Sequence, residues 1–153
     1  MPPYRALATR KAVATSKFYF FDIGVAHALQ GVKQAPKGSP AFGRALEHLV
    51  ANELRAYLAY RRREEALAYY RTTSQLEVDF LVGDRLAVEV KGTGRVAPAD
   101  VRHLRALTED VPSIERRVVV CTEPTRRRLE GDVEVLPVAE FLEELWSGAL
   151  LGA

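Results

Sequence analysis

Little in this chain can be cross-linked, and none of it is long and apolar enough to span a bilayer. Its 153 residues hold one cysteine, Cys121, so neither a disulfide framework nor a CxxC zinc site can be built from them. Cys121 ends the apolar run Val118-Val119-Val120 and reads as a small buried hydrophobe, because nothing near it in sequence would stabilise a thiolate. The apolar runs fall far short of the roughly 20 residues of a membrane helix. The opening Met1-Pro-Pro-Tyr-Arg5 lacks the apolar core of a signal peptide. The expected setting is therefore reduced and cytoplasmic, with no membrane partner. Neither sign of charge dominates: 22 basic and 20 acidic side chains leave a formal +2, so contact with a polyanion has to be local. The basic set is lopsided, with 17 Arg and 5 Lys; this suits phosphate forks, but genomic composition explains it more simply. Internal repeats, low-complexity tracts and a G-x-x-x-x-G-K-[ST] phosphate loop are all missing, and Gly92-Thr93-Gly94 reads as a turn rather than a nucleotide cradle.

What is present is a chain of one-domain length, 48% hydrophobic, enough for one core. Residues 1–16, basic through Arg5, Arg10 and Lys11, read as an N-terminal arm or the remnant of an upstream module that stands off the core. Residues 17–153 read as a single domain. Lys17 to Phe21 is strand-like; Asp22 is placed to cap a helix through Gln30, closed by Gly31. Val32 to Pro40 is the most flexible-looking stretch, a lid or a disordered loop. From Ala41 to Tyr60 apolar residues recur every three or four positions, which predicts a core-facing helix. Period-two alternation then predicts strands over 68–73, 76–82 and 86–90. A second helix opens at Pro98, apolar strands follow over 118–121 and 133–136, and Pro137 starts a last helix. Three strands with short links predict an antiparallel meander, and the step from Leu86 to Cys121 predicts a crossover to a parallel neighbour. The fold class is α/β, a mixed sheet flanked by helices.

The chemistry concentrates on the two strands around Gly83. Leu76, Val78, Phe80 and Val82 are expected on one face and Glu77 and Asp79 on the other; Leu86, Val88 and Val90 oppose Glu89 and Lys91. Matching apolar faces requires the three-residue loop Gly83-Asp84-Arg85, which pairs Val82 with Leu86. Counting back, Asp79 meets Glu89 and Glu77 meets Lys91. Two carboxylates directly opposite repel at about 5 Å unless a cation lies between them. Hard oxygens from Asp79 and Glu89 suit Mg²⁺ (or Mn²⁺), and Lys91 two residues on would face a bound phosphate. That spacing suits phosphodiester hydrolysis, while ordinary charge alternation on a solvated face is the plainer alternative.

Asp79 in EVDF, Glu89-Val90-Lys91 in VEVK and the helical Glu47 in FGRALEHLVANEL together resemble the PD-(D/E)xK nuclease superfamily. The resemblance implies a restriction-endonuclease-like αβββαβ core and a Mg²⁺-dependent endonuclease. It further implies Asp79, Glu89 and Glu47 as metal ligands, Lys91 as a fourth catalytic residue, and nucleic acid, DNA before RNA, as substrate; homodimers are common in that superfamily. KFYFFDIGVAHALQG, GRALEHLVANEL, YYRTTSQLEVDFLV and LAVEVKG together resemble an uncharacterised C-terminal domain that follows AAA-type ATPase modules in bacteria and archaea. That resemblance adds an alternative, a non-catalytic nuclease-like module docking on an AAA-type ATPase partner.

Around this core of the reading, Arg71 and Gln75 could meet a phosphate, as could the runs Arg61-Arg62-Arg63 and Arg126-Arg127-Arg128, which otherwise are solvated charge. Glu77 is expected to pair with Lys91. His48 lies about 100° around the helix from Glu47 and is expected to pack or face solvent. His27 and His103 have no partners at metal-ligand spacing. The apolar C-terminus with Trp146, Leu150 and Leu151 ends the core or docks elsewhere.

Overall fold

A computed structural model describes residues 1–4 and 15–152. Its longest element, helix α2 (Pro40–Tyr60), starts where the Ser39 hydroxyl accepts the Phe42 amide at 3.1 Å and Pro40 takes the first helical position. Leu46, Val50, Leu54 and Leu58 recur on one side and are buried. Ahead of it, the short α1 (Ile23–Leu29) begins under the expected Asp22 cap, whose carboxylate accepts the Val25 amide at 2.9 Å. The stretch between the two helices carries no regular structure over 32–36 and turns at 37–39 into the Ser39 cap.

The sheet is mixed and six-stranded: β1 (Leu67–Arg71), β2 (Glu77–Val82), β3 (Leu86–Val90), β4 (Arg116–Cys121), β5 (Arg127–Leu129) and β6 (Val133–Pro137), in the order β1-β2-β3-β4-β6-β5. The first three strands form the antiparallel meander, and β3 lies parallel to β4. Between β3 and β4 a 3₁₀ turn (Pro98–Val101) leads into α3 (Arg102–Asp110), and α4 (Val138–Ser147) follows β6. One core packs α2 and α4 on Phe80, Val82, Val88, Val118 and Val120; the other packs α3 on Leu81, Ala87, Val119 and Cys121. The helix, three strands, helix, strand order is thus present in a mixed α/β sheet.

Four expectations need correction. Lys17 to Phe21 carries no regular structure, bends at Phe21 and joins no strand. Its carbonyls are taken by side chains of α2, with His48 Nε2 donating to Phe20 at 2.6 Å and Asn52 Nδ2 to Phe21 at 3.1 Å. The expected N-terminal arm is packed at its start, since Pro3 bridges Tyr69 beside β1 and Met1 lies on the core. A proline suits that edge because it has no amide to donate. Residues 5–14, with Arg5, Arg10 and Lys11, lie outside the described residues. No strand was expected at the run 126–128, yet it leads into edge strand β5; Arg126 and Arg128 are exposed, as the solvated-charge reading had them, and the three arginines are matched to acids: Arg127 to Glu123 at 2.7 Å, Arg126 to Glu144 at 2.9 Å and Arg128 to Asp132 at 2.8 Å. Side-chain pairing on an edge leaves no period-two signal in the sequence.

The fourth correction bears on the site. β1 and β2 slip by one residue, so that Asp79 and Phe80 together stand opposite Tyr69, a bulge on β2. Alternation breaks there. Leu76 and Val78 pack into the α3-side core, whereas Phe80 and Val82 pack into the α2 side, and the single apolar face expected from 76 to 82 does not exist.

The loop leaving β3 is pressed onto the start of α2. A Cβ at Gly92 would stand 2.9 Å from the Gly43 Cα, a contact no side chain can relieve. Overpacking of this kind costs about 1–3 kcal/mol. Gly92→Ala is therefore expected to lower Tm by several degrees in a thermal melt followed by circular dichroism; melting at the wild-type temperature would contradict the close approach.

Candidate active site

Gly83, at φ 56°, turns the three-residue loop as expected, and the ladder runs Val82 with Leu86, Leu81 with Ala87 and Phe80 with Val88. There it stops. Val90, whose amide would otherwise bond across to β2, donates instead to the Asp79 carboxylate at 2.8 Å. The bulge and this side-chain bond let β2 and β3 part, and the Asp79 carboxylate fills the gap. Asp79 and Glu89 are therefore not cross-strand neighbours in a flat ladder as the register count had them.

On the α3 side of the gap, Lys91 Nζ holds Glu89 Oε1 at 2.7 Å. Glu89 is only 5% exposed, and its buried Oε2 has no hydrogen-bond partner among the described residues. Behind them His103 Nδ1 donates to the Glu77 carbonyl at 3.0 Å while Arg102 Nε approaches its Nε2 at 3.3 Å, so both ring nitrogens are engaged. On the α2 side, Glu47 accepts the Tyr19 hydroxyl at 2.6 Å. Between Glu47, Glu77 and Asp79 stands the ammonium of Lys17, at 3.6, 2.7 and 3.9 Å, with its Nζ also 5.1 Å from the Tyr69 ring centroid.

The electrostatics follow from burial and crowding. Burial, with Glu89 and Glu47 beside it, pushes the Asp79 carboxyl well above the usual carboxylate range. Burial raises Glu89 as well, against the pull of Lys91. For Lys91 and Lys17 burial disfavours the charge, but the carboxylates prevail and hold both ammoniums above the ordinary lysine value. Burial and the Glu47 carboxylate push the Tyr19 phenol far up, so it remains a donor.

Glu47, Asp79, Glu89 and Lys91 are thus gathered around one gap. Among the described residues no three acidic, histidine or cysteine side chains are close enough to make a finished metal cage. Two ammoniums divide the carboxylates, Lys91 holding Glu89 and Lys17 standing among Glu47, Glu77 and Asp79. Glu77 does not meet Lys91, because the strands diverge before that pair could form; it takes Lys17, and Arg71 at 3.5 Å from the paired strand β1. Arg71 also reaches Gln75 at 3.4 Å, so both flank the site. Arg61 donates to the Trp146 carbonyl and Arg63 to Gly152. With Arg62 they sit roughly 20 Å along α2 from Glu47. His48 packs, edge-on to Tyr19 at 5.6 Å, and is buried.

Sequence reasoning missed Lys17 and Tyr19. Their signal was present: in an extended segment residues two apart share a side, so a lysine and a tyrosine two residues apart aim at the same acids.

Removing one charge from the crowd should stabilise the protein. In divalent-free buffer near neutral pH, Asp79→Asn, which keeps an oxygen for the Val90 amide, is expected to melt a few degrees higher than wild type, on the scale of about 1 kcal/mol. Because the folded state raises the Asp79 pKa, ionised Asp79 costs stability above its unfolded pKa. The difference should therefore shrink as pH falls and wild-type Asp79 takes up its proton. A lower Tm for Asp79→Asn at neutral pH would contradict the crowding.

No curated protein and no solved structure matches the chain. A family model described as a domain of unknown function, DUF4143, matches residues 42–141, which take in Glu47, Asp79, Glu89, Lys91 and the strands that carry them. That stretch covers well over half of the chain, and the protein belongs to the DUF4143 family.

Proposed function

We propose that this domain is a Mg²⁺-dependent nuclease of the PD-(D/E)xK, restriction-endonuclease-like type, hydrolysing phosphodiester bonds in DNA or RNA. The observation that carries the reading is the parting of β2 and β3 around Asp79, with Glu89 buried beside it, one oxygen bare, and Lys91 bound to the other. Buried carboxylates with a spare oxygen fit a hard cation, and Mg²⁺ is usually held by only one or two carboxylates with water and substrate phosphate completing its shell. A closed protein cage is not required. Asp79 and Glu89 would hold the ion, with Glu47 assisting. When bound, it would supply charge neutralisation at the phosphate and a more acidic water.

The chain's own groups do the rest. Lys91, anchored by Glu89, directs a positive charge at the gap, where it favours the negative charge that builds up on the phosphate as water attacks phosphorus and the ester oxygen leaves. Tyr19 restrains Glu47 through its hydroxyl. Arg71 and Gln75, on the rim beside Glu77, would meet a neighbouring phosphate. A second reading, a non-catalytic module docking on an AAA-type ATPase, is favoured by one feature: the large apolar side chains of Phe18, Phe21 and Leu29, on and before α1, are 79%, 82% and 71% exposed.

Cleavage separates the two. Plasmid and single-stranded DNA incubated with Mg²⁺ should be cut by wild type and about 10²-fold or more slowly by Lys91→Ala, the usual scale for loss of one transition-state partner. Mg²⁺ should raise the wild-type Tm in parallel. If no divalent ion raises Tm and wild type cuts no faster than Lys91→Ala, the enzymatic reading falls and the docking reading stands.

A further inference from the structure

Lys17 is more than a surface ion pair. An exposed lysine pairing with one acid contributes little and samples many positions. This one is half-buried and lies within 4 Å of three carboxylates. Its backbone is fixed as well: Lys17 and Met1 exchange bonds of 3.0 and 2.7 Å between amide, N-terminal ammonium and carbonyls, and the next residues are tied to His48 and Asn52 of α2. The segment holds an ammonium where one more cation among Glu47, Glu77 and Asp79 would sit. On the other flank Lys91 holds one Glu89 oxygen at 2.7 Å and the Val90 amide holds Asp79 at 2.8 Å, while the second Glu89 oxygen is buried without a hydrogen-bond partner among the described residues. Two-metal sites place paired divalent ions about 3.5–4 Å apart around shared carboxylates, and Lys17 reaches Asp79 as well as Glu47 and Glu77.

We propose that Lys17 is a tethered counter-cation that takes the second cation position of the site, so that the site accepts one divalent ion, on the Asp79–Glu89 side. This rests on the metal-dependent reading above. It makes Lys17 a positioning residue that sets ion stoichiometry and keeps Glu47 and Glu77 committed when no substrate is present.

The test counts bound Mn²⁺ by electron paramagnetic resonance of the free ion, with calorimetry as a second readout, on wild type, Lys17→Met and Lys17→Arg. One ion for wild type and Lys17→Arg and two for Lys17→Met support the proposal. Two ions on wild type overturn it, as does a single ion on Lys17→Met. Should Lys17→Met not fold, Lys17→Gln replaces it, with the same two-ion count expected and a single ion overturning the proposal. Failure of the underlying reading looks different: no Mn²⁺ on any variant removes the metal site and this inference together, whereas one ion on every variant leaves the metal site and removes only the role of Lys17.

Discussion

A single side-chain-to-backbone hydrogen bond organises this molecule's chemistry. The Asp79 carboxylate accepts the Val90 amide at 2.8 Å where a carbonyl of the neighbouring strand would otherwise do so. A buried amide needs some acceptor, and by supplying one from a side chain the fold can end its ladder in the middle of a sheet without leaving an orphan donor. The bulge opposite Tyr69 turns β2 at the same point. Together they open a gap flanked by α2 on one side and α3 on the other, and they oblige a carboxylate to be buried in it.

Burying that charge near two others is unfavourable, and the surrounding residues answer it. Lys91 compensates Glu89; Lys17 compensates Glu47, Glu77 and Asp79 together; Arg71 compensates Glu77 from outside. The resulting set is strained by like charges yet held by ammoniums, an arrangement typical of sites kept for function at the expense of stability. The Gly92 contact with Gly43 makes the geometry rigid: it fixes the end of β3, which carries Glu89 and Lys91, against the first turn of the helix that carries Glu47. The ion pairs at the far edge, Arg116 with Glu134 and Glu144 at 2.8 and 2.9 Å, serve the sheet there and take no part in the gap.

Much of this was legible in the sequence because local signals and global fold agree. The Ser39-Pro40 start, the stripe from Leu46 to Leu58 and the Gly83 turn each reflect chemistry acting within a few residues. The αβββαβ order followed from them. What was not legible depends on distant partners. A one-residue bulge leaves no trace in alternation, because Val78 and Phe80 are both apolar whichever core receives them. Lys17 looked like the start of a strand, since its partners lie 30 and more residues away. The fate of the Arg61–Arg63 run was likewise decided by C-terminal carbonyls that only the folded chain brings near.

The central claim, that the gap between β2 and β3 is a divalent-cation site, is tested most directly by where Mn²⁺ resides. In amide-resolved NMR with substoichiometric Mn²⁺, selective broadening is expected around Asp79 and Phe80, from Glu89 to Lys91 and near Glu47, and it should be greatly reduced in Asp79→Asn. Broadening that is absent, or that centres on exposed acids such as Glu130 and Asp132 instead, would contradict the account.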